Sequence, residues 1–149
     1  MFALGKRSRE KLEGVHPDLV KVVERAIQIT KQDFAVTEGV RTLERQKQLV
    51  AQGASRTMNS RHLSGHAVDL AAWVNGTVNW NPRFYDEIKE AMYMAARDCD
   101  VPLRWGGDWD GDGDRTDQTF HDLVHFELPA AKYPAQVQAP AKAPKVKKK

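Results

Sequence analysis

At 149 residues the chain fits one domain of ordinary size, and its 41% hydrophobic and 29% charged residues are those of a soluble globular protein. No stretch approaches the roughly 20 apolar residues of a membrane span, and the single cysteine, Cys99, excludes both an internal disulfide and a thiolate metal cluster. The net charge of +3 is unevenly spread: six lysines and no acid follow Pro129, so residues 1–128 carry −3.

The N-terminal MFALGKRSREKLEG has charge by Lys6 and no apolar run of signal-peptide length, so no Sec route is expected. HPDLVKVVERAIQITK, His16 to Lys31, predicts a helix with Pro17 at its first turn and an apolar face of Leu19, Val20, Val23, Ala26 and Ile27. Phe34 to Thr37 reads as a short buried strand. A second helix, Thr42 to Gln52, is closed by Gly53. AVDLAAWV and TVNW flank Asn75-Gly76, a strong hairpin signal. Asn81-Pro82 opens a third helix with an apolar stripe of Phe84, Ile88, Ala91, Met92 and Ala95 running to Cys99, which makes Cys99 core filler. Leu103 to Trp105 and Leu123 to Leu128 read as strands on either side of an Asp/Gly-rich loop. The order α-β-α-β-β-α-β-β predicts an α+β class, with helices against a small, largely antiparallel sheet. Residues 1–128 form the expected domain, and the Pro/Ala/Lys-rich segment 129–149 is expected to be a disordered tail.

Four of the five histidines fall in two clusters, His62 and His66 in SRHLSGHAVDL and His121 and His125 in HDLVHFEL, with Asp69 closing the first and Asp122 inside the second. Two imidazoles and one carboxylate form a catalytic zinc set that leaves a coordination position open. Within a strand starting near Ala67, Asp69 points opposite to Val68 and Leu70, so a carboxylate can face a site while its neighbours face the core. His62 lies seven residues earlier, a gap of more than about 20 Å if extended, so the chain must fold back, and Gly65 permits that turn. His125 shares a strand face with Leu123 and Glu127. Asp122 reaches the same site only from the turn entering that strand.

These motifs resemble a family of metallopeptidases that includes D-alanyl-D-alanine carboxypeptidases of VanY type and phage or bacterial L-alanyl-D-glutamate endopeptidases. Ser60, His62, Gly65, Ala67 and Asp69 meet S-x-H-x-x-G-x-A-x-D in full, and Asp122, His125 and Glu127 meet D-x-x-H-x-E. Gly39, Arg41 and Thr42 match an upstream G-x-R-T, with Gln46 at a family-like offset. The resemblance covers roughly Gly5 to Leu128 and implies a Hedgehog- or DD-peptidase-like fold. It implies zinc held by His62, Asp69 and His125, Asp122 as general base, and Arg41 at the oxyanion or at a substrate carboxylate. The carboxypeptidase branch carries Glu-x-x-His with a Trp before the His; Asp122 and Val124 stand there instead, which favours the endopeptidases. The activity implied is cleavage of peptidoglycan stem peptides by a monomeric phage endolysin, held in the host cytoplasm until a holin opens the inner membrane.

The same residues carry plainer readings. Arg41 is equally a salt-bridge partner for Glu38 or Glu44. Ser60, His66 and His121 either support the ligands or face substrate, and His66 and His121 read as well as exposed side chains. Glu127 either orients a ligand or is a satisfied strand carboxylate. His16 reads as a helix-terminus residue. In DWDGDGDRTDQT, Asp108, Asp110 and Asp112 fill positions 1, 3 and 5 of a calcium loop, with Asp114 at the usual carbonyl position and Asp117 a substitute for the missing final Glu; the alternative is a solvated acidic loop. The lysine tail suits an anionic envelope surface, and without interleaved aromatics it offers nucleic acid no base-stacking platform. Rival functions are a D-alanyl-D-alanine carboxypeptidase, a ferrous oxygenase, which predicts a cosubstrate and typically a much tighter spacing than His62 to Asp69, and a non-catalytic zinc-binding module for cell wall or nucleic acid.

Overall fold

A computed structural model describes residues 1–53, 60–108 and 122–134. His121, the loop positions Asp110, Asp112, Asp114 and Asp117, and the tail from 135 onward lie outside the described residues.

The elements in chain order are α1 (Lys6–Lys11), α2 (Pro17–Ile29), β1 (Phe34–Glu38), α3 (Leu43–Ala51), a 3₁₀ turn (Arg61–Ser64), β2 (Ala67–Val74), β3 (Thr77–Asn79), α4 (Pro82–Cys99), β4 (Arg104–Trp105) and β5 (His125–Glu127). The α+β class is as expected: helices pack on a five-stranded sheet in which every pairing is antiparallel. β2 is the spine. β1 pairs along one edge of it, while β5 and β3 follow one another along the other, and β4 lies outside β5. The hairpin between β2 and β3 turns at Asn75 (φ 53°) and Gly76 (φ 83°), the positive-φ pair that a two-residue turn of primed type demands.

The core lies between α2 and α4 and the sheet face carrying Phe34, Val36, Val68, Leu70, Ala72 and Phe126, all at most 3% exposed. On α2 the buried residues are Leu19, Val22, Val23, Ala26 and Ile27, so Val22 replaces the expected Val20, which is only half-buried. The buried stripe keeps a strict three-four spacing, which places Val20 at its margin. On α4, Tyr85 is buried where Phe84 was expected. Its hydroxyl accepts from the amide of Ala72 (3.1 Å) and donates to the carbonyl of Asn79 (2.9 Å), pinning the helix to the hairpin.

Two elements depart from the expected order. α1 is only six residues long and almost wholly charged, yet Leu4, Ser8 and Leu12 are buried at four-residue spacing, and the Ser8 hydroxyl accepts from the Val36 amide (2.9 Å) on the open edge of β1. The 3₁₀ turn is the other. Packing also continues beyond Leu128: Arg61 donates to the carbonyls of Leu128 (2.8 Å) and Tyr133 (2.8 Å), and the Tyr133 hydroxyl donates to Asp18 (2.8 Å).

Candidate metal centre

The chain folds back at the 3₁₀ turn. Ser60 caps it by accepting from the His62 amide (3.2 Å), and Gly65 ends it at φ +78°, with the Gly14 carbonyl so close that a Cβ would lie 2.7 Å from it. This turn swings His62 toward Asp69, and Nε2 of His62 lies 3.0 Å from Oδ1 of Asp69. The opposite nitrogen, Nδ1, lies 2.8 Å from the Gly39 carbonyl, which can only accept. Nδ1 therefore points at that acceptor and Nε2 faces inward, toward Asp69.

β5 delivers the third group, because His125 stands directly opposite Asp69 in the sheet. Its Nε2 lies 2.8 Å from Oε1 of Glu127, and its Nδ1 lies 3.3 Å from Oδ1 of Asp69. The two imidazole rings meet nearly edge to face, with centroids 5.0 Å apart. One donor atom from each of His62, Asp69 and His125 falls within 4.8 Å of the others. Each histidine is thus fixed through its outer nitrogen, which leaves a cluster of two imidazoles and one carboxylate facing a common point.

Asp122 sits on the turn entering β5. Its amide donates to the Gly106 carbonyl (2.9 Å) and its own carbonyl accepts from the His125 amide (3.0 Å). A Cβ on Gly106 would collide with the Asp122 carbonyl, so this close approach requires glycine. Burial raises the Asp122 carboxyl above the usual carboxylate range, and the Asp69 charge adds to it; His125, His62 and Arg41 act in the opposite sense. For Asp69, burial also favours the neutral form, but hydrogen bonds from His125 and His62 and their charge hold it well below that range. Burial works against a charged His125, yet hydrogen bonds to Asp69 and Glu127 and the charges of Asp69 and Asp122 push it up to about 9.

Arg41 makes a bidentate pair with Glu38 (Nε to Oε2 2.7 Å, Nη2 to Oε1 2.8 Å), and Nη1 donates to Gln46 (2.7 Å). Its Nη2 lies 3.8 Å from Oδ2 of Asp69. Glu38 is thus its hydrogen-bonded carboxylate partner, with Asp69 a longer ion-pair contact. A register shift between Val36 and Glu38 sets both Glu38 and Arg41 beside Asp69, as β-bulges next to sites commonly do. Nothing in the local sequence announces that bulge, nor the Gly39 carbonyl that fixes His62.

Two further histidines lie elsewhere. His66 is 1% exposed, so the alternative of an exposed side chain does not hold for it. It hydrogen-bonds Ser64 (2.6 Å) and packs against His16 and Tyr133. His16 caps α2, its Nδ1 accepting from the Asp18 amide (3.1 Å). Of the acidic loop, Asp108 is described: it is buried and bridges to Trp105 in the sheet.

Comparison with known proteins agrees with this geometry. The model of the family described as phage L-alanyl-D-glutamate peptidase matches residues 1–129. The L-alanyl-D-glutamate peptidase of Escherichia phage T5 is 35% identical over 134 residues, which cover 85% of this chain and 98% of that protein. The crystal structure of the Serratia marcescens L-Ala D-Glu endopeptidase ChiX superposes with a TM-score of 0.76 at 42% identity, covering 87% of this chain and 91% of that one. A matching family model over most of the chain, a full-length relative and a shared fold lead to one conclusion: this protein belongs to the phage L-alanyl-D-glutamate peptidase family.

Proposed function

We propose that this chain is a zinc-dependent endopeptidase that hydrolyses the L-alanyl-D-glutamate bond of peptidoglycan stem peptides. The observation that carries the reading is the convergence of Nε2 of His62, Oδ1 of Asp69 and Nδ1 of His125, each imidazole held from behind, with the Asp122 carboxyl at the entrance to the same strand. Two nitrogens and one oxygen, with no thiolate, fit a catalytic zinc site. A zinc ion held there supplies Lewis acidity, polarising a peptide carbonyl and lowering the pKa of water.

The side chains do the rest. Asp122, with its pKa raised by burial, takes a proton from the attacking water and hands it to the departing D-Glu amine. As a ligand Asp69 would stay ionised, because a bound cation favours the carboxylate over the neutral acid. Arg41 is fixed on Glu38 and Gln46 before substrate arrives, so its positive charge faces the site without reorganising and opposes the negative charge that develops on the carbonyl oxygen.

Mass spectrometry of purified peptidoglycan digested by the zinc-loaded chain tests the reading. New D-Glu amino termini should appear, and a chelated control should produce none. Release of free D-alanine instead, or equal digestion by the chelated chain, would reject it. Calcium bound by the loop from Asp108 is proposed to order the approach to Asp122, since crowded carboxylates repel one another without a cation. Removing calcium at constant zinc should then lower turnover, and unchanged turnover refutes the point. In a lysis cycle the enzyme reaches its substrate once the inner membrane is opened; among the described residues no helix is long and apolar enough to cross a membrane.

A further inference from the structure

The sheet face that carries Asp69 does not end at the metal centre. Residues alternate along β2, so Asp69, Ala71 and Trp73 share that face, and Ala35, paired with Ala71, joins it from β1. Where α1 meets the edge of β1, a groove of about 650 Å³ borders this face at Ala35, Thr37 and Trp73 and is flanked by Lys6, Arg7 and Lys11. Trp73 is 41% exposed, and Lys6, Arg7 and Lys11 are exposed. The acidic group in the lining is Asp33, whose carboxylate already accepts from the Phe34 amide (2.9 Å). At its other end the groove reaches Thr37, whose hydroxyl donates to the Asp69 carbonyl (3.3 Å).

We propose that this groove is the subsite for the carboxylate-bearing part of the stem peptide on the leaving side of the scissile bond. The inference rests on the stem-peptide reading above and assigns that substrate a direction on the protein. Charge selects the occupant: three cations over an apolar floor suit a chain rich in free carboxylates, whereas the uncharged sugars of the glycan strand give those cations nothing to pair with. Length agrees. Asp69 and Trp73 are four strand residues apart, about 13 Å. A stem running from D-Glu through a diamino acid to D-Ala, lengthened by its γ-linkage, spans about the same distance. Trp73 then lies beneath the last residues, and Lys6 and Arg7 face their carboxylates.

The test compares two synthetic peptides of sequence L-Ala-γ-D-Glu-diaminopimelate-D-Ala. One carries free carboxylates on the last two residues and the other carries amides there; both keep the D-Glu carboxylate. Wild-type zinc-loaded protein should favour the free acid by about tenfold in kcat/KM, and the preference should fade with salt. In Lys6→Gln/Arg7→Gln the preference should collapse to near unity, while Lys6→Arg/Arg7→Lys should keep it. Equal rates on both peptides for wild type, or an unaltered preference in the neutral variant, would overturn the proposal. Calorimetry on the zinc-loaded Asp122→Asn chain reads the same binding ratio without turnover. A chain that binds the free acid selectively yet cleaves neither peptide would sink the proposed hydrolysis and leave the groove standing. Cleavage without selective binding would do the reverse.

Discussion

Glu127 holds His125 by its outer nitrogen at 2.8 Å, two residues along the same strand face, and so turns the other nitrogen toward Asp69. The geometry makes Glu127 an orienting group, with no position in the ligand set itself. Burial alone would raise the Glu127 pKa, but the hydrogen bond from His125 and the charges of His125, Arg104 and Arg61 lower it, so it remains a carboxylate. Glu127→Ala should weaken zinc binding by roughly 10- to 100-fold, the usual cost of losing such a partner. With zinc in excess, most of the turnover should return. Competition against a chromophoric chelator measures the first quantity and a zinc titration of activity the second; unaltered zinc affinity would show that His125 is oriented by the sheet alone.

Asp122 makes the contrasting prediction. It shares its turn with His125 but lies outside the three convergent donors, so Asp122→Asn should leave zinc content unchanged while kcat drops by about 10²- to 10⁴-fold, the typical contribution of a positioned base. Relieving a buried carboxyl that sits near Asp69 should also leave the fold at least as stable. Metal analysis, steady-state kinetics and a melting curve on one preparation check all three. Zinc loss in step with activity would instead make Asp122 part of the metal shell.

The features legible from sequence were those decided by short-range chemistry. Asn75-Gly76 announces its hairpin because few other pairs tolerate two positive φ angles, and Asp69 could be placed opposite Val68 and Leu70 because alternation in a strand is strict. The cluster of His62, Asp69 and His125 was readable because its members fall in two short motifs, which the resemblance joined into one ligand set. Hidden features depend on segments distant in sequence. Ser8 is buried only because β1 has an open edge for it to cap, Gly39 is important for a carbonyl that any residue possesses, and the bulge before Glu38 is a property of pairing with β2. On α2 the three-four spacing from Leu19 selects Val22 over Val20, so the buried face was legible there and the expectation of Val20 departed from that rule.

His66 should give the fold a pH dependence of its own, apart from the cluster of His62, Asp69 and His125. Burial, followed by the charges of Arg61 and His16, lowers its pKa to about 4, against about 6.5 for an exposed histidine. Above pH 6.5 neither the folded nor the unfolded chain protonates this ring, so it contributes no pH dependence. Between 6.5 and 4 the unfolded chain binds the proton and the folded one does not, so stability falls as pH falls, by on the order of 1–3 kcal/mol in all. His66→Asn, which keeps a polar group for Ser64, should flatten that part of the profile. Urea denaturation of both proteins from pH 7 to 4 decides it, and parallel profiles would mean that His66 is protonated without penalty.

Gly65 links the fold to the chemistry most directly. Its φ of +78° lies where side-chain-bearing residues are strained, and an added Cβ would lie 2.7 Å from the backbone carbonyl of Gly14, which has no flexible end to move aside. The same residue donates its amide to the His62 carbonyl (3.3 Å) and offers its own carbonyl to the His16 amide (2.8 Å), so a shift here disturbs the turn that presents His62. Gly65→Ala should cost about 1–3 kcal/mol of stability from strain alone. Because His62 would be displaced from Asp69, zinc affinity should fall by more than that loss of stability explains. The experiment is a zinc titration at a temperature where the variant is still fully folded by circular dichroism. Normal zinc affinity in a destabilised variant would show that the turn serves the fold and that His62 finds Asp69 without it.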